Sequence, residues 1–206
     1  MKYDAIVVAG GKGNRADLGF NKVLFKMHNN KTVIENSIEL FLNDDDCEKV
    51  ILVINEAIKI NNKKVVYING GNQRSDSVRN GLELVDSEYV LIHDGARPFL
   101  NKDTLEELKK KVEEKDAAIL ASKAIDTIKK IDGDKIIKTI DRKCIGLAQT
   151  PQGFKTSLIK ECYAKMNNNY FYDDASVVEA CNKDVYVVFN EYDNHKLTSK
   201  KDFENI

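Results

Sequence analysis

An excess of charge of one sign is the first thing this sequence lacks. Charged residues make up 32% of its 206 positions, yet the formal net charge is only −1. That balance supplies neither a basic surface for nucleic acid nor an acidic tail. A small-molecule partner is the expectation. No apolar run approaches the roughly 20 residues of a membrane-spanning helix. Met1, Lys2, Tyr3 and Asp4 lead straight into an apolar strand, without the pattern of a signal peptide. A cytoplasmic protein with no membrane partner is expected. Cysteine is sparse: Cys47, Cys144, Cys162 and Cys181 lie far apart with no Cys-x-x-Cys and no companion histidine spacing. Neither a zinc site nor a disulfide framework is indicated, and the thiols read as structural. Repeats, low-complexity segments and linkers are missing too. With 42% hydrophobic residues the chain can fill one core, so residues 1–206 are expected to form one domain.

What is present is an apolar strand that runs into glycines. Ala5, Ile6, Val7, Val8 and Ala9 suit a strand buried on both faces, and residues 7–22 read VVAGGKGNRADLGFNK. Gly10, Gly11 and Gly13 let the backbone turn tightly and present N–H groups to phosphate oxygens, while Arg15 and Lys22 add positive charge. A glycine trio alone fits an ordinary strand-to-helix turn equally well; the cations favour a ligand. A P-loop fails, because Lys22 lies between Asn21 and Val23 and no hydroxyl is placed for magnesium. Gly11, Gly13 and Ala16 satisfy G-x-G-x-x-A, but the loop runs on through Asp17, Leu18, Gly19, Phe20 and Asn21 instead of opening a helix. Cations inside such a loop suit a triphosphate, which favours a nucleotidyltransferase. A nicotinamide-binding oxidoreductase is the distant alternative. It is weakened because Asn55, not an acid, follows the second strand at Ile54.

Further strands are expected at residues 49–54, 64–68, 89–92, 117–121 and 185–189, with helical spacing after Thr32, after Val78 and over residues 103–115 and 157–166. The expected fold is α/β, a Rossmann-like, mostly parallel sheet with helices on both faces. Residues 70–77 (GGNQRSDS) read as a second ligand-facing loop at a helix N-terminus. His93, Asp94, Gly95, Ala96, Arg97 and Pro98 form a third at a strand's carboxyl end, where ligands bind in open α/β sheets. The alternation breaks over residues 123–148, where Thr127 to Asp132 and Lys135 to Ile140 flank Gly133 and Asp134 as a two-stranded excursion. Such a ribbon is marginal alone, and a second subunit is the natural surface to cover it.

The segments AGGKGNR with NK, GGNQRSDSV, HDGARPF, AIDTIKKI, TIDR, QTPQGF, DDAS and DNHKLT follow one another in an order that resembles the 2-C-methyl-D-erythritol 4-phosphate cytidylyltransferases of isoprenoid biosynthesis. The resemblance covers nearly the whole chain. It implies transfer of CMP from CTP to methylerythritol phosphate with Mg²⁺, and a homodimer made by a projecting β-arm. Carried over residue by residue, Arg15, Lys22 and Lys196 look like the catalytic cations around the triphosphate. Asp94 looks like the carboxylate on the magnesium and triphosphate side. Ala9, Gly10, Gly71, Asn72 and Ser77 align with positions holding cytosine and ribose, and Gly11 and Gly13 belong to the same CTP loop. Arg97, Thr127, Arg142 and Thr150 resemble the acceptor pocket, with Thr127 and Arg142 supplied by the partner. Asn21 stands where the family usually has proline, Asn72 where aspartate is frequent, and Tyr172 where threonine is common. The nearest alternative acceptor is another polyol phosphate such as ribitol 5-phosphate.

Overall fold

The computed structural model describes residues 1–11, 19–166, 171–204 and 206. Gly13 and Arg15 therefore lie outside the described residues. Nine strands are β1 (Tyr3–Val8), β2 (Cys47–Val53), β3 (Val65–Ile68), β4 (Tyr89–Asp94), β5 (Ala117–Lys123), β6 (Ile128–Asp132), β7 (Lys135–Ile140), β8 (Gly146–Lys155) and β9 (Tyr186–Phe189). Seven of them make one sheet in the order β3-β2-β1-β4-β8-β5-β9. All its pairings are parallel except those of β8, which runs antiparallel to both β4 and β5.

The sheet is buried from both sides because its strands carry apolar residues in both phases of the pleat. Ala5 and Val7 of β1 face one cluster, packed with Ile34, Ile38 and Phe41 of α1 (Val33–Leu42) and Leu105, Leu108 and Val112 of α3 (Lys102–Lys115). Ile6 faces the other, with Val78 and Leu82 of α2 (Arg74–Glu83), Ile159 of α4 (Thr156–Lys165) and Val178 of α5 (Asp174–Ala180). Helix α1 starts where it does because Thr32 and Glu35 form a capping box: the Thr32 hydroxyl accepts from the Glu35 N–H, and Glu35 Oε2 accepts from the Thr32 N–H at 2.7 Å.

Two elements differ from the sequence reading. Helix α2 begins at Arg74, so Arg74, Ser75, Asp76 and Ser77 belong to its first turn and not to a loop. The cause is Asp76, whose carboxylate accepts from the Gln73 N–H at 3.1 Å and closes the cap one turn early. The ten-residue strand β8 was not expected at all, since Gln149, Thr150, Pro151 and Gln152 are a polar run around a proline. It survives as a central strand because its polar side chains are satisfied. Gln152 Oε1 accepts from the Asp174 and Ala175 N–H groups, each at 3.0 Å, and its Nε2 donates to Asp173 at 2.9 Å. Pairing with β5 slips between Ile119 and Ala121, and the slack on β8 holds Thr150 and Pro151.

Strand β1 lies between β2 and β4, so the chain winds first to one side of it and then to the other. Val8 and Asp94 are register partners at the carboxyl ends of β1 and β4, which makes that edge the switch-point crevice. Strands β6 and β7 form a separate two-stranded sheet, with Gly133 in the left-handed region (φ 57°) at its turn. Ile131, Ile136 and Ile137 on it are 63%, 59% and 49% exposed, an apolar surface that the described residues do not cover.

Candidate active site

Asp94 is the last residue of β4 and sits at the centre of a cluster of cations. Lys196 Nζ donates to its Oδ2 at 2.7 Å, Arg74 Nε donates to its Oδ1 at 3.0 Å, and Arg97 Nε lies 3.7 Å from Oδ2. Burial alone would push this carboxyl up; the charges of Arg74, Lys196 and Arg97 outweigh it and hold Asp94 well below the usual carboxylate range. The group is therefore an anion throughout the physiological range.

Arg74 is the residue that sequence reasoning passed over. Its Nη2 lies 2.8 Å from Oδ2 of Asp174, a fully buried carboxylate at the start of α5 that also accepts from the Tyr163 hydroxyl at 2.6 Å. One guanidinium thus joins the ends of β4, α2 and α5. The signals were an arginine among small polar residues in GGNQRSDSV and an acidic pair in DDAS; neither tells that the two ends meet.

The carboxyl-terminal segment is laid against the loop after β4. Leu197 N–H donates to the Ala96 carbonyl at 2.9 Å, and Arg97 Nη1 donates to the Asn194 carbonyl at 2.6 Å. Between these anchors Lys196 points at Asp94, while Lys22 Nζ, from the short helical turn Lys22–Leu24, donates to the Leu197 carbonyl at 2.6 Å. Lys22, Asp94, Arg97 and Lys196 are thus brought together.

Thr150 lies beneath the site. It is buried, its hydroxyl accepts from the Asp94 N–H at 3.0 Å, and it meets His93 Nδ1 at 3.1 Å, so it braces Asp94. His93 is wholly buried, and desolvation pushes its imidazole down to about 4. An unfolded histidine takes up its proton near 6.5, whereas the fold keeps His93 neutral to about 4. Its stabilising contribution is complete above 6.5 and is lost as pH falls through this window, by roughly 3 kcal/mol. The urea midpoint should fall between pH 7 and 4.5, with the His93 ring signal still that of the neutral imidazole at pH 5. A His93 proton uptake at 6.5 in the folded protein would refute this.

Two further loops flank the crevice. Ala9 and Gly10 follow β1, and the Asn21 amide donates to the Ala9 carbonyl at 3.0 Å. Gly71 N–H donates to the Ser77 hydroxyl at 3.1 Å, and a Cβ on Gly71 would stand 2.3 Å from Cβ of Asp76, so only glycine fits this close approach to α2. Gly11 and Asn72 are exposed there. Thr127 and Arg142 are exposed next to the ribbon, where the Arg142 guanidinium donates to the Ile125 carbonyl; neither touches the Asp94 cluster of its own chain.

A profile of the family described as 2-C-methyl-D-erythritol 4-phosphate cytidylyltransferase matches residues 3–205. The chain belongs to this cytidylyltransferase family. It is 38% identical over 213 residues to the enzyme of that name from Bacillus cytotoxicus, covering 97% of this chain and 94% of the relative. Identity to the Geobacillus thermodenitrificans enzyme is 39% over 216 residues, covering 98% and 94%. Among solved structures, the Francisella tularensis cytidylyltransferase superposes with a TM-score of 0.82 at 29% identity, covering 99% of this chain and 97% of that one. The Thermus thermophilus cytidylyltransferase gives 0.83 at 27%, covering 98% and 96%. The family is one of nucleotidyltransferases, and its α/β sheet is the one described above. No described helix is long and apolar enough to cross a membrane.

The donor set bears on magnesium. Among the described residues no three His, Cys, Asp or Glu side chains converge to hold a metal ion. Among the described residues Asp94 offers carboxylate oxygens at the end of β4, and both already meet cations. That set does not fit an ion caged by protein. It does fit Mg²⁺ held mainly by substrate phosphates and water, with Asp94 as the one carboxylate the described residues would supply.

Proposed function

We propose that this chain transfers CMP from CTP to 2-C-methyl-D-erythritol 4-phosphate, releasing pyrophosphate, in the non-mevalonate isoprenoid pathway. The observation that carries the proposal is the convergence of Lys196, Arg74 and Arg97 on Asp94 at the switch point, with Lys22 tied to the neighbouring Leu197, in a chain matched by the family over residues 3–205. An oxygen of the acceptor phosphate attacks the α-phosphorus of CTP, and the bond from that phosphorus to the bridging oxygen breaks in line. Both reactants are anions, so the work of the site is to offset their repulsion and to hold them aligned. Lys22 and Lys196, with Arg15 from the first loop, are assigned to the triphosphate. Bound Mg²⁺ at Asp94 would neutralise charge on the phosphate oxygens. Arg74 keeps Asp94 in place from the side opposite Lys196.

The base falls to Ala9, Gly10, Gly71, Asn72 and Ser77, with Gly11 and Gly13 offering backbone N–H groups to the phosphates. Arg97 and Thr150 of this chain, with Thr127 and Arg142 of a second copy, are assigned to the acceptor, and Thr150 also braces Asp94. The exposed isoleucines of β6 and β7 support a homodimer in which each ribbon reaches the other subunit's crevice.

The test is turnover of CTP with methylerythritol phosphate and ribitol 5-phosphate side by side, repeated with ATP and GTP. Pyrophosphate release is expected with CTP and methylerythritol phosphate only. Equal or better use of ribitol phosphate would transfer the chain to another polyol, and use of a purine nucleotide would overturn the base assignment.

A further inference from the structure

Asn55 has no part in the function as assigned, yet it stands between the two loops given to the base. It follows the end of β2. Its Oδ1 accepts from the Gly70 N–H at 2.9 Å, and its Nδ2 donates to the Gly10 carbonyl at 3.4 Å. Only this orientation of the amide serves both, because the reverse would set donor against donor and acceptor against acceptor. The loops are close at this point: a Cβ on Gly10 would lie 3.4 Å from both Asn55 Nδ2 and the Gly70 Cα, and one on Gly70 would lie 3.0 Å from the Ser77 hydroxyl.

The bonds also decide which way the peptide groups face. In a trans peptide the C=O and the following N–H point in opposite directions. With the Ala9 carbonyl held by Asn21 and the Gly10 carbonyl held by Asn55, the N–H groups of Gly10 and Gly11 are turned away from these amides. On the other loop Gly70 N–H is taken by Asn55 and Gly71 N–H by Ser77. Behind Asn55 lies a cavity of about 550 Å³ lined by Glu56, Ile58, Tyr67 and Asn69. Backbone bonds from the Ala9 N–H to the Val53 carbonyl and from the Ile54 N–H to the Ile68 carbonyl hold the strand ends, and beyond them Asn55 is a side chain that ties the two loops to each other.

We infer that Asn55 is a positioning residue that sets base selectivity, because one side-chain amide fastens the loop after β1 to the loop after β3 and so fixes the slot between them. The inference rests on the assignment of Gly10, Gly71 and Ser77 to the base. It predicts an effect on the nucleotide alone. The acceptor side and the Asp94 cluster are held by other bonds, through Thr150, Arg74 and Asn194.

Asn55→Ala removes both bonds, Asn55→Asp keeps the acceptor for Gly70 N–H and sets a carboxylate oxygen against the Gly10 carbonyl, and Ser77→Ala perturbs the slot independently. Steady-state turnover would be measured with CTP and with UTP, together with the acceptor KM and the melting temperature. For Asn55→Ala the expected result is a CTP KM raised about tenfold, the scale of one or two lost hydrogen bonds. Its kcat and acceptor KM should stay within about twofold, and its preference for CTP over UTP should be reduced. Asn55→Asp should be at least as impaired as Asn55→Ala despite its smaller change in shape. Ser77→Ala raising the CTP KM while Asn55→Ala leaves both KM and selectivity unchanged would overturn the role of Asn55 and keep the slot. Wild-type behaviour of Ser77→Ala would instead overturn the slot. A fall in kcat and melting temperature of Asn55→Ala with unchanged selectivity would reduce Asn55 to a folding role and also overturn the inference.

Discussion

Arg74→Ala is expected to lower the stability of the fold by roughly 3 kcal/mol, because it leaves two carboxylates without their shared cation. Asp174 is fully buried and, among the described residues, keeps the Tyr163 hydroxyl on its carboxylate. Asp94 keeps Lys196 and the more distant Arg97. The figure is set at the low end for a broken buried pair, since about a quarter of the Arg74 side chain is exposed, 26%, and water can enter where it stood. Activity should fall as well, because Lys196 becomes the principal counter-charge of Asp94 and is less free to meet a phosphate. Arg74→Lys should recover little of either: a single ammonium cannot reproduce Nε on Asp94 and Nη2 on Asp174 at once. Denaturant midpoints and kcat/KM of the two variants decide this, and a lysine variant as stable as the native protein would show that charge alone suffices.

Mixing Lys22→Ala with Arg142→Ala should restore activity that neither has alone. Lys22→Ala by itself should lower kcat/KM about 10²-fold or more, the scale of losing a charge partner in the transition state. Arg142→Ala should damage use of the acceptor while CTP binding changes little, since its planar guanidinium is assigned to the acceptor phosphate of the other subunit. After subunit exchange, half the dimers are mixed and each has one site with Lys22 and Arg142 both intact, so recovery of about a quarter of the native activity is expected. Exchange is verified by mass spectrometry of tagged subunits. No recovery after verified exchange would mean that Arg142 acts within its own subunit or not at all.

The sheet could be read from the sequence wherever burial and strand propensity agree. Runs such as KVILVI and YVLI are apolar in both phases of the pleat, and β2 and β4 lie within a residue or two of their expected places. Strand β8 was hidden because its fitness is tertiary: Gln152 is tolerable in a central strand only when the α5 N-terminus arrives to take its carbonyl oxygen. Asp94, Arg97 and Lys196 were legible through their motifs and do meet in space. Arg74 and Asp174 were not, since their importance lies in a pairing across 100 residues that leaves no periodic trace. The motif marked Thr150 for the acceptor, and what the motif does not tell is that its hydroxyl also accepts from the Asp94 N–H. Asn21, standing where the family usually has proline, turns its side chain to the Ala9 carbonyl and caps the turn that carries Lys22.

The bonds from Lys22 to Leu197 and from Lys196 to Asp94 join positions 175 and 102 residues apart. A ribosome delivers these residues in order, and Lys196 and Leu197 come last. A growing chain that has emerged through β5 can already align β1, β2, β3 and β4 in parallel, but Lys196 is not yet there to meet Asp94, nor the Leu197 carbonyl to accept from Lys22. If Lys22 and Lys196 hold the triphosphate as proposed, such a chain offers it an incomplete set of charges, and CTP is expected to stabilise it little. Under the assignment of Lys22 and Lys196 to the triphosphate, the nucleotide is expected to stabilise chains that have been extended through Leu197, so the substrate would select for protein that has gained these contacts.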